Sequence, residues 1–170
     1  IPIEKRIEFI SPHSLMDEID FTNDVNQIEQ KDFSVNFEKR GLDFGLKIHN
    51  IANRIANGIK VETELKEAVR IKMFIENLEA IELKAEVDFI YPDKKTGKTI
   101  RGTIDLLAFY EDRIEVIDYK TDSGKSNLEK YKLQLEIYIK AVKSIYKDKK
   151  VSGKIYFVSL DELITVWQCD

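Results

Sequence analysis

The sequence predicts an α/β domain, a mixed central β-sheet with helices on its flanks, and two observations carry that expectation. The hydrophobic period switches from about 3.6 residues to two near residue 80 and returns to 3.6 near residue 128. The resulting order is two helices, three closely spaced strands, a helix and two strands, which is the order of a layered sheet-and-helix sandwich. A chain of 170 residues is long enough for one such domain with a substantial core and too short for two. Its 43% apolar and 34% charged residues strike the balance of a folded globular chain.

The elements follow in order. Residues 1–40 read as a mixed, acidic lead-in, with a candidate helix start at Ser11-Pro12, where serine caps and proline takes the first helical position. From about Leu42 to Ile59 the pattern is helical, because Ile48, Ala52, Ile55 and Ile59 form one apolar stripe. Gly58 suits its stop. A second helix is expected from about Glu62 to Leu78, with Leu65, Val69 and Ile75 facing inward. Ile81, Leu83, Ala85, Val87 and Phe89 then alternate with charged residues, the pattern of a half-buried strand. Residues 92–98, polar and containing Gly97, read as a hairpin loop into a strand over 99–110. A short turn at Glu111-Asp112-Arg113 leads to a third strand, 114–120, completing an antiparallel meander. A helix over 128–146 follows, with Leu128, Tyr131, Leu135, Tyr138, Val142 and Ile145 on its buried face. Strands over 154–160 and 163–168 close the chain.

Composition excludes several classes. No apolar run approaches the roughly 20 residues of a membrane helix, and no signal-peptide pattern opens the sequence. The lone Cys169 rules out an internal disulfide and any cysteine-ligated zinc or iron–sulfur site built from this chain alone, which fits a reducing, cytoplasmic setting. The chain starts at Ile1 without an initiator methionine, as expected of a piece of a larger protein or of a product of tag cleavage. Net charge is −4, but residues 94–154 hold 15 basic and 9 acidic residues, a local +6, while the remainder carries −10. That asymmetry suits one basic face for phosphates, and equally the solvated lysines of a lysine-rich surface.

The chemistry concentrates in Gly102-Thr-Ile-Asp105 and, after twelve intervening residues, Asp118-Tyr119-Lys120. Side chains alternate along a strand, so Ile114, Val116, Asp118 and Lys120 share a face and the last two stand side by side. Asp105 lies in an apolar stretch, where a carboxylate costs free energy unless it is paired or bound to a cation. Two such carboxylates on neighbouring strands point to a shared Mg²⁺ or Mn²⁺. Taken alone, Asp118 and Lys120 also fit a strand-end ion pair in solvent. Gln134 and Tyr138, four apart on one helical face, follow the motif, and Gln134 interrupts an otherwise apolar run. Its amide suits the orientation of a metal ligand or phosphate, although a surface glutamine beside a core tyrosine gives the same pattern. His49 lies beside the first helix's apolar stripe, as a satisfied histidine or as a ligand for a transition metal. Glu86 falls on the polar face of the first long strand.

The ordered set Gly45-Leu-Lys-Ile-His49, Gly102-Thr-Ile-Asp105, Ile117-Asp118-Tyr119-Lys120-Thr121 and Gln134-Leu-Glu-Ile-Tyr138 resembles the RecB-type nucleases of the PD-(D/E)XK superfamily, including the RecB and AddA helicase-nucleases. The resemblance spans about Leu42 to Leu160. It implies a restriction-endonuclease-like core and a Mg²⁺- or Mn²⁺-dependent DNA nuclease, an exonuclease module of a DNA-repair helicase-nuclease. It implies Asp105, Asp118, His49 and the Tyr119 carbonyl as metal ligands, with Glu86 a further candidate. Lys120 would be the catalytic lysine, with Gln134 and Tyr138 supporting the site and contacting DNA. The superfamily's proline is missing before Asp105, and the cysteine cluster of the iron–sulfur branch is absent, which places the chain on the RecB/AddA side. No glycine-rich ATP-binding loop occurs, so a helicase motor would lie in a separate domain or in a partner protein. A nuclease-fold module that binds DNA or a partner without cutting, and a stand-alone exonuclease, are the rival readings.

Overall fold

A computed structural model describes the backbone of residues 9–10 and 33–169 and the side chains of 41–166. The expected helix start at Ser11-Pro12 lies outside the described residues. The described residues form one six-stranded mixed sheet: β1 (Phe9–Ile10), β2 (Glu82–Pro92), β3 (Thr99–Phe109), β4 (Arg113–Lys120), β5 (Lys150–Phe157) and β6 (Glu162–Cys169). Helices α1 (Phe33–Ala56) and α2 (Lys66–Glu76) cover one face and α3 (Leu128–Ile145) the other. β2, β3 and β4 make the expected antiparallel meander, β5 joins β4 in parallel, and β6 returns antiparallel to β5. No helix among the described residues is long and apolar enough to cross a membrane.

Two apolar layers hold the sheet. Ile104, Leu107, Ile114, Val116, Val151 and Phe157 pack under Leu135, Tyr138, Ile139 and Val142 of α3. Leu106, Ala108, Ile117 and Tyr119 pack under Ile48 and Ala52 of α1 and Ile71 and Ile75 of α2. α3 approaches β5 so closely that a Cβ on Gly153 would lie 2.6 Å from Ile139 Cδ1 and 2.7 Å from Leu135 Cδ2. Glycine is needed there for closeness.

Several boundaries and facings differ from expectation. α1 begins at Phe33, so Phe33–Arg40 are helix rather than lead-in, and it ends at Ala56; Gly58, at φ 74°, turns the chain and leaves Ile59 outside, 47% exposed. α2 is shorter than 62–78, and Val69 faces solvent at 40% exposure while Ala68 and Ile71 are buried in its place. Ile145 at the end of α3 is exposed, and Ile139 and Ala141 carry the buried face instead. Ile81 precedes β2 and is 75% exposed. β5 starts at Lys150, since pairing of Arg113 with Lys150 continues the parallel ladder beyond the apolar run that marked it.

One irregularity positions the site. Ala85 pairs with Leu106, and both pack on the α1/α2 layer. Val87 pairs with Ile104, and both pack on the α3 layer. Residues two apart in a regular strand share a face, so both strands reverse their facing between these pairs. The residues at the reversal are Glu86, held at φ 50°, and Asp105.

Candidate active site

β3 and β4 pair only from Leu106–Ile117 to Phe109–Ile114 and separate beyond. The Asp105 carboxylate stands where they part. Its Oδ2 accepts the Tyr119 backbone N–H at 2.8 Å, bridging to β4, and its Oδ1 lies 3.1 Å from His49 Nδ1 on α1. Burial by itself pulls the His49 imidazole down; the Asp105 hydrogen bond and the Asp105 and Asp118 charges outweigh it and raise its pKa above 6.5. One turn along α1, Asn53 Nδ2 donates to Glu86 Oε2 at 2.8 Å. His49 and Asn53 thus hold the two residues at the reversal of β2 and β3.

Asp118 and Lys120 share a face of β4, turned toward α3. Asp118 is 5% exposed and the Lys120 side chain 14%, which excludes a strand-end pair with its heads in solvent. Lys120 Nζ lies 2.8 Å from Asp118 Oδ2 and donates to Gln134 Oε1 at 3.1 Å. Gln134, buried as its place in an apolar run implied, donates in turn to the Tyr138 hydroxyl at 2.8 Å. The Lys120–Asp118 contact is close in charge but lacks hydrogen-bond alignment, so Asp118 Oδ2 is buried with no hydrogen-bond partner. Burial drives the Asp118 pKa up, the Asp105 charge adds to it, and the Lys120 ammonium opposes both.

A second buried carboxylate on β4 supplies the contrast. Glu115 meets Lys154 Nζ at 2.8 Å, Arg113 Nε at 3.3 Å and the Tyr110 hydroxyl at 3.3 Å. That group is compensated as a structural ion should be. Asp118 has one charge partner, Lys120, no aligned hydrogen bond to Oδ2, and the charge of a second carboxylate, Asp105, nearby, an arrangement a cation would complete.

The structure therefore brings together Asp105, Asp118, Lys120, Gln134, Tyr138 and His49. His49 stands as the hydrogen-bond partner of Asp105. Among the described residues no three His, Cys, Asp or Glu side chains stand ready as a closed ligand cluster. Sequence reading missed Asn53, whose signal was its spacing of four from His49, and Tyr131, placed in the core by its period alone. The Tyr131 ring faces Lys120 Nζ at 4.3 Å from its centroid.

A family model described as the PD-(D/E)XK nuclease superfamily matches residues 25–166. The chain is also similar to bacterial ATP-dependent helicase/nuclease subunits. That of Clostridium botulinum is 28% identical over 159 residues, covering 88% of this chain and 12% of that protein. The Streptococcus agalactiae protein is 26% identical over 167 residues, covering 79% and 14%. The Carboxydothermus hydrogenoformans protein is 36% identical over 86 residues, covering 45% and 7%. The chain thus spans less than a sixth of the length of these relatives. With the match running from α1 into β6, the chain belongs to the PD-(D/E)XK nuclease superfamily.

Proposed function

We propose that the chain is a divalent-metal-dependent DNA nuclease, an exonuclease module that works beside a helicase motor in DNA repair within the cytoplasm. The observation that carries this reading is the buried Asp118–Lys120 pair, whose Asp118 Oδ2 has no aligned hydrogen bond and feels the Asp105 charge. Asp105, Asp118 and the Tyr119 carbonyl are the groups that would hold a Mg²⁺ or Mn²⁺ ion, with His49 completing or fixing the set. A divalent ion bound there supplies Lewis acidity at a phosphate oxygen and a lowered pKa for coordinated water.

The chain's own residues do the rest. Lys120 presents its ammonium to the phosphate and offsets the charge that builds on it during displacement. Gln134 accepts from Lys120 and is itself oriented by Tyr138, so the ammonium keeps one direction. His49 fixes one oxygen of Asp105 and the Tyr119 N–H the other, which sets that carboxylate's plane. Glu86, tied to Asn53, is the outermost carboxylate of the set.

Incubation of the 170-residue chain with end-labelled single- and double-stranded DNA, in EDTA, Mg²⁺ or Mn²⁺, tests this. Metal-dependent degradation, lowered about 10²–10³-fold or more in Lys120→Ala, is the expected result. A stepwise ladder from one end identifies an exonuclease. DNA binding without cleavage in either metal would favour the non-cutting module.

A further inference from the structure

We infer that Tyr131 is a positioning residue for Lys120, holding the ammonium at its working direction through the face of its ring. The inference rests on the reading of Lys120 as the catalytic lysine.

A lysine ammonium on a four-carbon stem has many accessible directions, and a working site must remove most of them. Lys120 is limited on three sides. Asp118 Oδ2 lies 2.8 Å from Nζ, Gln134 Oε1 accepts at 3.1 Å, and the Tyr131 ring stands 4.3 Å from Nζ to its centroid. The ring adds a third contact to those of the aspartate and the glutamine. The ring's face carries negative potential and attracts a cation, more so where water is largely excluded, and the Lys120 side chain is only 14% exposed.

The ring is itself braced. Its hydroxyl donates to Asp122 Oδ2 at 2.6 Å, and the ring lies against Phe157 of β5, centroids 6.3 Å apart. Burial first, and then the Asp122 carboxylate, raise the phenol pKa, so the hydroxyl stays a donor throughout the working range. Asp122 belongs to the segment that leaves β4 just after Lys120. Its bond to α3 therefore anchors the ring to the same stretch of backbone that carries the lysine. Gln134 and Tyr131 sit three apart on α3 and meet Lys120 from one helical face.

Tyr131→Leu removes the ring and keeps an apolar side chain; Tyr131→Phe keeps the ring and removes only the Asp122 bond. Steady-state cleavage of end-labelled DNA in Mg²⁺ is compared for wild type, both variants and Lys120→Ala, with thermal midpoints measured in parallel. Tyr131→Leu is expected to lose roughly three- to thirtyfold in kcat with KM within twofold and a near-normal midpoint, the range a partly desolvated cation–π contact spans. Tyr131→Phe should restore most of that loss. Equal losses in Leu and Phe variants would move the role to the hydroxyl and overturn the inference, as would a Leu variant with wild-type kcat. The Lys120 Hε resonances of the wild type give a readout independent of folding in the variants. An upfield ring-current displacement is expected, and its absence overturns the inference. A wild type that shows the displacement but does not cleave defeats the nuclease reading instead, and the positioning role with it.

Discussion

Asp118 is the residue whose energetics make least sense for a fold and most for a site. A carboxylate 5% exposed, with a raised pKa and only the Lys120 ammonium against its Oδ2, is held at a cost. A bound divalent ion would remove much of that cost and so couple to stability. At free Mg²⁺ a hundredfold above its dissociation constant the gain is about 2.7 kcal/mol, a rise of several degrees in thermal midpoint for a chain of this size. Asp118→Asn is expected to keep the fold and lose the rise. Calorimetry with and without Mg²⁺ reads both, and a midpoint that climbs equally in the variant would exclude Asp118 as a ligand. The residue types and spacing of this centre were legible in the sequence, since Asp118, Lys120, Gln134 and Tyr138 follow from strand and helix periodicity. Asn53 and Tyr131 were not, because a polar side chain on a helix shows its partner only once the sheet's register is known.

At the scale of the element, the reversal in β2 and β3 is what aims Asp105. A regular pleat cannot put both Ile104 and Leu106 into opposite apolar layers, and Glu86 at φ 50° absorbs the change. A residue with a Cβ is disfavoured in that conformation by about 1–2 kcal/mol, and a β-branched one by at least as much. Strand propensity would rank valine above glycine at a mid-strand position. The local conformation predicts the opposite order: Glu86→Gly at least as stable as wild type, and Glu86→Val below it, the two separated by about 1–2 kcal/mol. Urea midpoints decide, and a valine variant more stable than the glycine one would show that the left-handed residue is dispensable. Alternation from Ile81 to Phe89 disclosed the strand but hid this reversal, because apolar residues sit at every second position whichever layer they enter. The misjudged facings of Val69 and Ile145 have a related cause. Both are apolar, and apolar character alone does not fix the facing: Ala68, Ile71 and Ile75 take the buried face of α2 and leave Val69 outward, and Ile145 is the last residue of α3.

For the whole molecule the remaining quantity is charge. The chain is acidic overall, while residues 94–154, which include β3, β4 and α3, carry a local +6. Asp105 and Asp118 both lie within that basic part of the chain. If that part tracks a nucleic-acid backbone, affinity should be carried by few phosphate contacts and fall steeply with salt. A single strand held through about four contacts loses roughly fiftyfold in affinity between about 50 and 200 mM monovalent salt. Fluorescence anisotropy with labelled single-stranded DNA in EDTA, where cleavage is suppressed, measures the slope. Replacement of Lys94, Lys95 and Lys98 on the β2–β3 hairpin by glutamine should make it shallower if the hairpin lies on the path, and leave it unchanged if contact is confined to the centre around Lys120. A chain that binds with no dependence on salt would contradict a phosphate-led interface altogether. Weak binding with the expected slope would mean that 170 residues hold the cutting centre while the strand is delivered by protein outside them, in keeping with relatives more than six times as long.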